Sequence, residues 1–131
     1  MVYFMNPPMH TRVRNHFVDA GLTAGFITQL LMWSDTGKLT DAFMVFRPNG
    51  GTAVRNGLGS EYYVMVDVIG AKSANGAVDT AVQSIIDSIQ SNPMPNDCIG
   101  HIENVGGIPA PVLTTEGRLV YRLLFACLFG E

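Results

Sequence analysis

The segment from Arg118 to Phe129 is apolar along almost its whole length. Neighbouring side chains of a strand point to opposite faces, so its residues sort into two rows. Leu119, Tyr121, Leu123, Phe125, Cys127 and Phe129 form a wholly apolar row, and Arg118, Val120, Arg122, Leu124, Ala126 and Leu128 form a mixed one. A strand that is apolar on nearly both faces belongs in the middle of a sheet covered on both sides. Helices of the same chain can cover one side. A neighbouring subunit is the candidate cover for the other.

The remaining pattern supplies the rest of such a sheet. Asn6 is placed to cap a helix over residues 8–20, with Pro7 and Pro8 tolerated in its first turn and Gly21 as its left-handed stop. Residues 26–33 read as a strand, with a short helix as the rival, and 34–40 as a loop. Residues 41–47 read as a second strand that Pro48-Asn49-Gly50-Gly51 ends, and 52–60 as an exposed loop or hairpin tip. From Glu61 to Ile69 the alternation is clear: Tyr62, Val64, Val66 and Val68 on one side, Tyr63, Met65, Asp67 and Ile69 on the other. Val78, Ala81, Val82, Ile85, Ile86 and Ile89 make an apolar stripe at helical spacing, predicting a helix over 77–91 that stops at Asn92-Pro93. Residues 99–105 read as a strand and 106–111 as too rich in Gly and Pro to stay regular. The sum is an α+β fold, a mostly antiparallel sheet of about five strands with two main helices on one face, in a single domain over 1–131 with 1–6 as an N-terminal extension.

Composition sharpens the question of what covers the second face. Of 131 residues, 47% are apolar and only 15% charged, where an ordinary soluble domain has about 25% charged. A chain so short of polar surface is expected to bury part of its outside against a partner, and another copy of itself is the simplest one. The alternative is a monomer with a well-filled core. A net charge of −3 argues against a general nucleic-acid binder, which needs a basic footprint. No run approaches the length of a membrane span. Cys98 and Cys127 lie outside any C-x-x-C pattern and read as reduced core residues of a protein made in the cytoplasm.

Searching for chemistry yields little. Gly70-Ala71-Lys72-Ser73 resembles the tail of a phosphate loop, but Ala71 stands where the second glycine belongs. Gly57-Leu58-Gly59 lacks the third glycine of a dinucleotide fingerprint. His10, His16 and His101 make no metal pattern, although His101 and Glu103 share a strand face. No catalytic, cofactor or metal residue is nominated. Asp67 is the odd residue: an ionised group between Met65 and Ile69 in mid-strand is costly unless paired, and Arg47, Arg118 and Arg122 are the candidate partners in a structural or intersubunit ion pair.

Taken together, Phe46-Arg47-Pro48-Asn49-Gly50-Gly51, Leu58-Gly59-Ser60-Glu61-Tyr62-Tyr63, Gly106-Gly107-Ile108-Pro109-Ala110-Pro111 and Thr114-Thr115-Glu116-Gly117-Arg118 resemble the small tail terminator (tail completion) proteins of long-tailed phages and prophages. The likeness runs from Phe26 onward and rests on turns and strands. It implies a structural virion protein without cofactor, a homohexameric ring that caps the finished tail tube, halts its polymerisation and offers a face to the head-completion or connector protein. DNA would pass through the lumen without specific binding. The resemblance implies assembly in the bacterial cytoplasm, a final place in the virion tail, and contacts with sister subunits or the tube protein for which Arg47, Asn49, Arg55, Asp67, Glu116, Arg118 and Arg122 are the candidates. Two rivals stand beside it: a small α+β domain that binds a metabolite or peptide with Trp33, Tyr62 and Tyr63, and an oligomeric enzyme whose site is shared between subunits.

Overall fold

The computed structural model describes residues 7–51 and 60–129. In chain order the elements are α1 (Met9–Asp19), β1 (Ile27–Leu30), β2 (Phe43–Gly51), β3 (Ser60–Ile69), α2 (Asn75–Ser91), β4 (His101–Val105), β5 (Val112–Leu113) and β6 (Leu119–Phe129). They form one mixed sheet in the order β1-β2-β3-β6-β4, with β5 also paired to β6. β1 runs parallel to β2 and every other pairing is antiparallel. The α+β reading holds, with β6 in the interior of the sheet between β3 and β4.

Both helices lie on one face. Met9, Val13 and Phe17 of α1, with Val78, Val82, Ile85, Ile86 and Ile89 of α2, pack against Met44, Phe46, Val64, Val66, Val68, Ile102 and the apolar row of β6. Fully burying each such side chain contributes roughly 1.5–3 kcal/mol, so the alternation of β3 and β6 and the stripe of α2 fix which face is inside. Phe17 stands at the centre, edge-on to Phe46 and Phe125 with ring centroids 5.3 and 5.8 Å away. Arg12 ties the start of α1 to the end of β6: it donates to the Cys98 carbonyl at 2.9 Å, and its guanidinium lies 4.7 Å from the Phe129 ring centre.

Several boundaries differ from the sequence reading, each for a physical reason. The expected cap Asn6 lies outside the described residues, and Pro8 holds the N-cap position without a side-chain bond. β1 ends at Leu30 because Leu31 turns to φ 71° and the Met32 N–H donates back to the Leu30 carbonyl at 2.8 Å. β2 does not stop at Pro48. A register shift between Pro48 and Gly51 absorbs the proline, as bulges do, and Gly51 passes so close to the Glu61 carbonyl that a Cβ would meet its oxygen at 2.1 Å. Two residues of the irregular Gly/Pro stretch's continuation, Val112 and Leu113, form the unforeseen β5 on β6. Cys127 is buried as expected, whereas Cys98 is exposed, since it sits in the turn beyond α2 rather than in the core.

Candidate interaction surface

The sheet face away from the helices carries Asp67 and two of its three candidate partners, Arg47 and Arg122. At its centre, Val45, Asp67 and Arg122 stand opposite one another across β2, β3 and β6. Asp67 has only 3% of its side chain exposed and accepts from both flanking arginines. Arg122 donates through Nε to Oδ1 at 2.9 Å and through Nη2 to Oδ2 at 3.2 Å, and Arg47 donates through Nη2 to Oδ2. The carboxylate raises the pKa of Arg122 above its usual value, mainly through the hydrogen bond. One buried charge thus faces two cations, and the outer one, Arg122, is 62% exposed. The centre of this face therefore carries surplus positive charge.

Arg118, the third candidate partner, is not part of this group. It is completely buried and belongs to the chain's interior. Its Nη1 donates to the carbonyls of Asp41 at 2.6 Å and Gly70 at 3.1 Å, Nη2 to the carbonyl of Lys38 at 2.9 Å, and Nε to Glu116 at 3.3 Å. Asp35 lies 3.8 Å away as a further ion pair, and the rings of Trp33 and Phe43 lie 5.8 and 5.5 Å from the guanidinium carbon. The effect is to pin residues 31–42, the connection between parallel β1 and β2, over one end of this face. Trp33 packs there on Phe43, Val45, Ile69 and Val120. Sequence offers Arg118 as a partner of Asp67, and the resemblance offers it as a contact residue. Nothing local signals that carbonyls at 38, 41 and 70 converge on it.

The other candidates are scattered. Asn49 is exposed within the β2 bulge, Glu116 is half-exposed beside Arg118, and Arg55 lies outside the described residues. Tyr62 faces the helices while Tyr63 faces away from them, and Trp33 is enclosed by the loop, so the three do not converge on a ligand. Among the described residues no group of three or more His, Cys, Asp or Glu could hold a metal ion, and no helix is long and apolar enough to cross a membrane. A groove of about 390 Å³ between the α1–β1 turn and α2 is lined almost wholly by small or apolar residues, among them Gly25, Phe26, Ala74, Ala77 and Ala81. Burial pushes the Cys127 thiol up to about 12, which leaves it inert at neutral pH.

What sequence reasoning missed lies at the sheet's two edges. Leu31 and Met32 beyond β1, and Val112 and Leu113 of β5, are among the most exposed large apolar side chains described. Sequence reads residues 26–33 as strand, with a short helix as the rival, and the split of Leu30-Leu31-Met32-Trp33 into two packed and two exposed residues depends on the turn at Leu31.

Comparison with known proteins bears on what such a surface is for. The sequence model of the family described as Phage tail termination protein matches residues 6–131. The chain belongs to that family. The match takes in α1 as well as the strands and turns from Phe26 onward, so only the first five residues fall outside it. Membership makes this a structural protein of the phage tail. Among the curated proteins none matches the sequence. One solved structure aligns over 91% of this chain and 95% of its own at 11% identity, with a TM-score of 0.48, a likeness too slight to carry an argument about this tail termination protein.

Proposed function

We propose that this chain assembles as a closed homohexameric ring on the end of the phage tail tube, where it stops tube polymerisation and forms the face to which the head-completion or connector protein joins. The observation that carries the reading, beside the family, is the one-sided architecture. Both helices cover one face of the sheet, while the other face and both edges keep apolar residues and the arginine pair in reach of a neighbour. A ring subunit buries such surface through a heterologous contact that closes on itself. Asn49, Arg55 and Glu116 are the polar candidates for the tube or the sister subunit, together with Arg47, Asp67 and Arg122. Arg118 serves by holding residues 31–42 in place. The net charge of −3 suits a lumen through which DNA slides without being gripped. The protein acts by shape and adhesion, not by turnover.

The test is to add the purified protein to tail tubes that are still growing from purified tube subunits. Elongation should stop, and electron microscopy should show a ring of six at the capped end. Tubes that lengthen at the same rate with and without the protein would end the proposal.

A further inference from the structure

Resting on the ring reading above, one joint between copies can be named. The groove of about 390 Å³ between the α1–β1 turn and α2 is bounded by Leu22, Phe26, Gly70, Ala74, Ala77 and Ala81, and no charged side chain lines it. Its α2 wall carries Ala77 and Ala81, with Ala74 at the N-cap. Small side chains there leave apolar room that the subunit's own core does not use. Concave apolar surface of this kind marks a binding site.

An occupant of matching chemistry stands in the sequence itself. Residues 1–5 read Met-Val-Tyr-Phe-Met, all apolar in their side chains and none charged. They precede Pro7 and lie outside the family match, which begins at residue 6.

The place where this segment joins the fold decides whose groove it can reach. Arg12 donates through Nε to the Pro7 carbonyl at 2.7 Å, and its guanidinium lies 4.7 Å from the Phe129 ring centre. The segment therefore departs beside the Phe129 end of β6. Gly70, in the groove, donates to the Leu119 carbonyl at 2.9 Å, at the opposite end of that strand. β6 has 11 residues, a span of roughly 33 Å. Even the nearer wall, Leu22, lies past α1, which is itself roughly 16 Å long. At full extension Phe4 stands no more than roughly 11 Å from Pro7, so Tyr3 and Phe4 cannot fill the groove of their own copy. A second copy placed head to tail brings the departing segment beside the groove. Two different surfaces, one at each end of the sheet, make the heterologous kind of contact that closes into rings.

We propose that residues 1–5 of one copy lie in the groove between the α1–β1 turn and α2 of the next, with Tyr3 and Phe4 filling it. The occupant is this segment of a second copy. Its two aromatic side chains bring the most buried area for the fewest ordered residues.

Disulfide trapping tests it. In a Cys98→Ser background, with Cys127 buried, Phe4→Cys and Ala77→Cys are made singly and together. On mild oxidation a mixture of the two single variants should give dimers and nothing larger. The double variant should give a ladder of covalent multimers that ends at the ring's own size, and each single variant alone should stay monomeric on a denaturing gel. Tyr3→Ser/Phe4→Ser should leave the Tm of the unassembled subunit unchanged and weaken assembly at least about tenfold. A link confined within single copies, dimers from either single variant alone, rings seen by native mass measurement without the ladder, or normal assembly of Tyr3→Ser/Phe4→Ser would each overturn the proposal and leave the ring reading standing. A chain that stays single at every concentration and on tail tubes would remove both.

Discussion

Arg122 stands directly opposite Asp67 in the β3–β6 register and closes on its carboxylate with two hydrogen bonds, while Arg47 approaches the same group from β2. Asp67 is nearly sealed from solvent and Arg47 has 29% of its side chain exposed, so the two form the desolvated half of the group. Asp67→Asn keeps the shape and removes the charge, leaving two arginines facing each other with no counterion. Breaking a buried pair costs more than the pair itself contributes. The expected loss is about 2–3 kcal/mol, read as a fall in Tm by thermal denaturation. The triple variant Asp67→Leu/Arg47→Met/Arg122→Met should recover most of that subunit stability. Its assembly should remain impaired, because Arg122 is gone. An Asp67→Asn variant as stable as the parent would show that the ion group is incidental.

Arg118 is the second charge with structural consequences. Its donors satisfy three carbonyls and one carboxylate, an arrangement that a planar fork of five N–H groups can meet and a lysine ammonium cannot. Arg118→Lys should therefore behave almost as badly as Arg118→Met, with residues 31–42 released from the sheet. Trp33 is the single tryptophan and packs beneath that guanidinium. The expected readout is a red shift of its emission, with faster hydrogen exchange confined to 31–42. Unchanged emission in both variants would contradict the pinning role.

These two arginines show what sequence could and could not reveal. That Asp67 needs a partner is legible because a charge in mid-strand must be paired, and sequence offers Arg47, Arg118 and Arg122, of which Arg47 and Arg122 close on it. The burial of Arg118 is not legible, because its acceptors lie 48, 77 and 80 residues away. The same division runs through the fold. α2 and the two rows of β3 and β6 follow from periodicity, which is a local property. β5 has only two residues and exists because β6 offers it an edge. The bulge that carries β2 through Pro48 is likewise set by its partner strand. Arg55 falls outside the described residues, so its placement in the proposed interface rests on sequence alone.

Two glycines separate backbone conformation from steric contact. Gly100 and Gly107 share nearly the same φ, 79° and 73°. A Cβ on Gly107 would meet nothing within 4 Å, whereas one on Gly100 would come within 2.5 Å of the Leu128 carbonyl oxygen. Gly107→Ala should cost only the conformational penalty of about 1–2 kcal/mol. Gly100→Ala should cost clearly more, because β4 must move off β6 to make room. Denaturant titration of both variants checks this. Equal losses would mean that the β4 edge yields freely.

Acid sensitivity follows from α1. His10 and His16 both have pKa values lowered by burial, with Asp19 partly opposing the effect at His16. In the unfolded chain these imidazoles titrate near their ordinary value of about 6.5. The unfolded state therefore binds more protons than the folded state between that value and the lower folded ones. Stability rises with pH wherever the unfolded state holds the extra protons, so the histidine contribution is intact above about pH 6.5 and is lost as pH falls through the window below it. The double variant His10→Gln/His16→Gln should show a flatter stability profile in that window than the parent chain. Denaturation midpoints measured across it in both proteins provide the comparison. If the parent's stability falls no faster than the variant's, the neutral imidazoles are not what α1 needs, and the packing of Val13 and Phe17 alone holds that helix against the sheet.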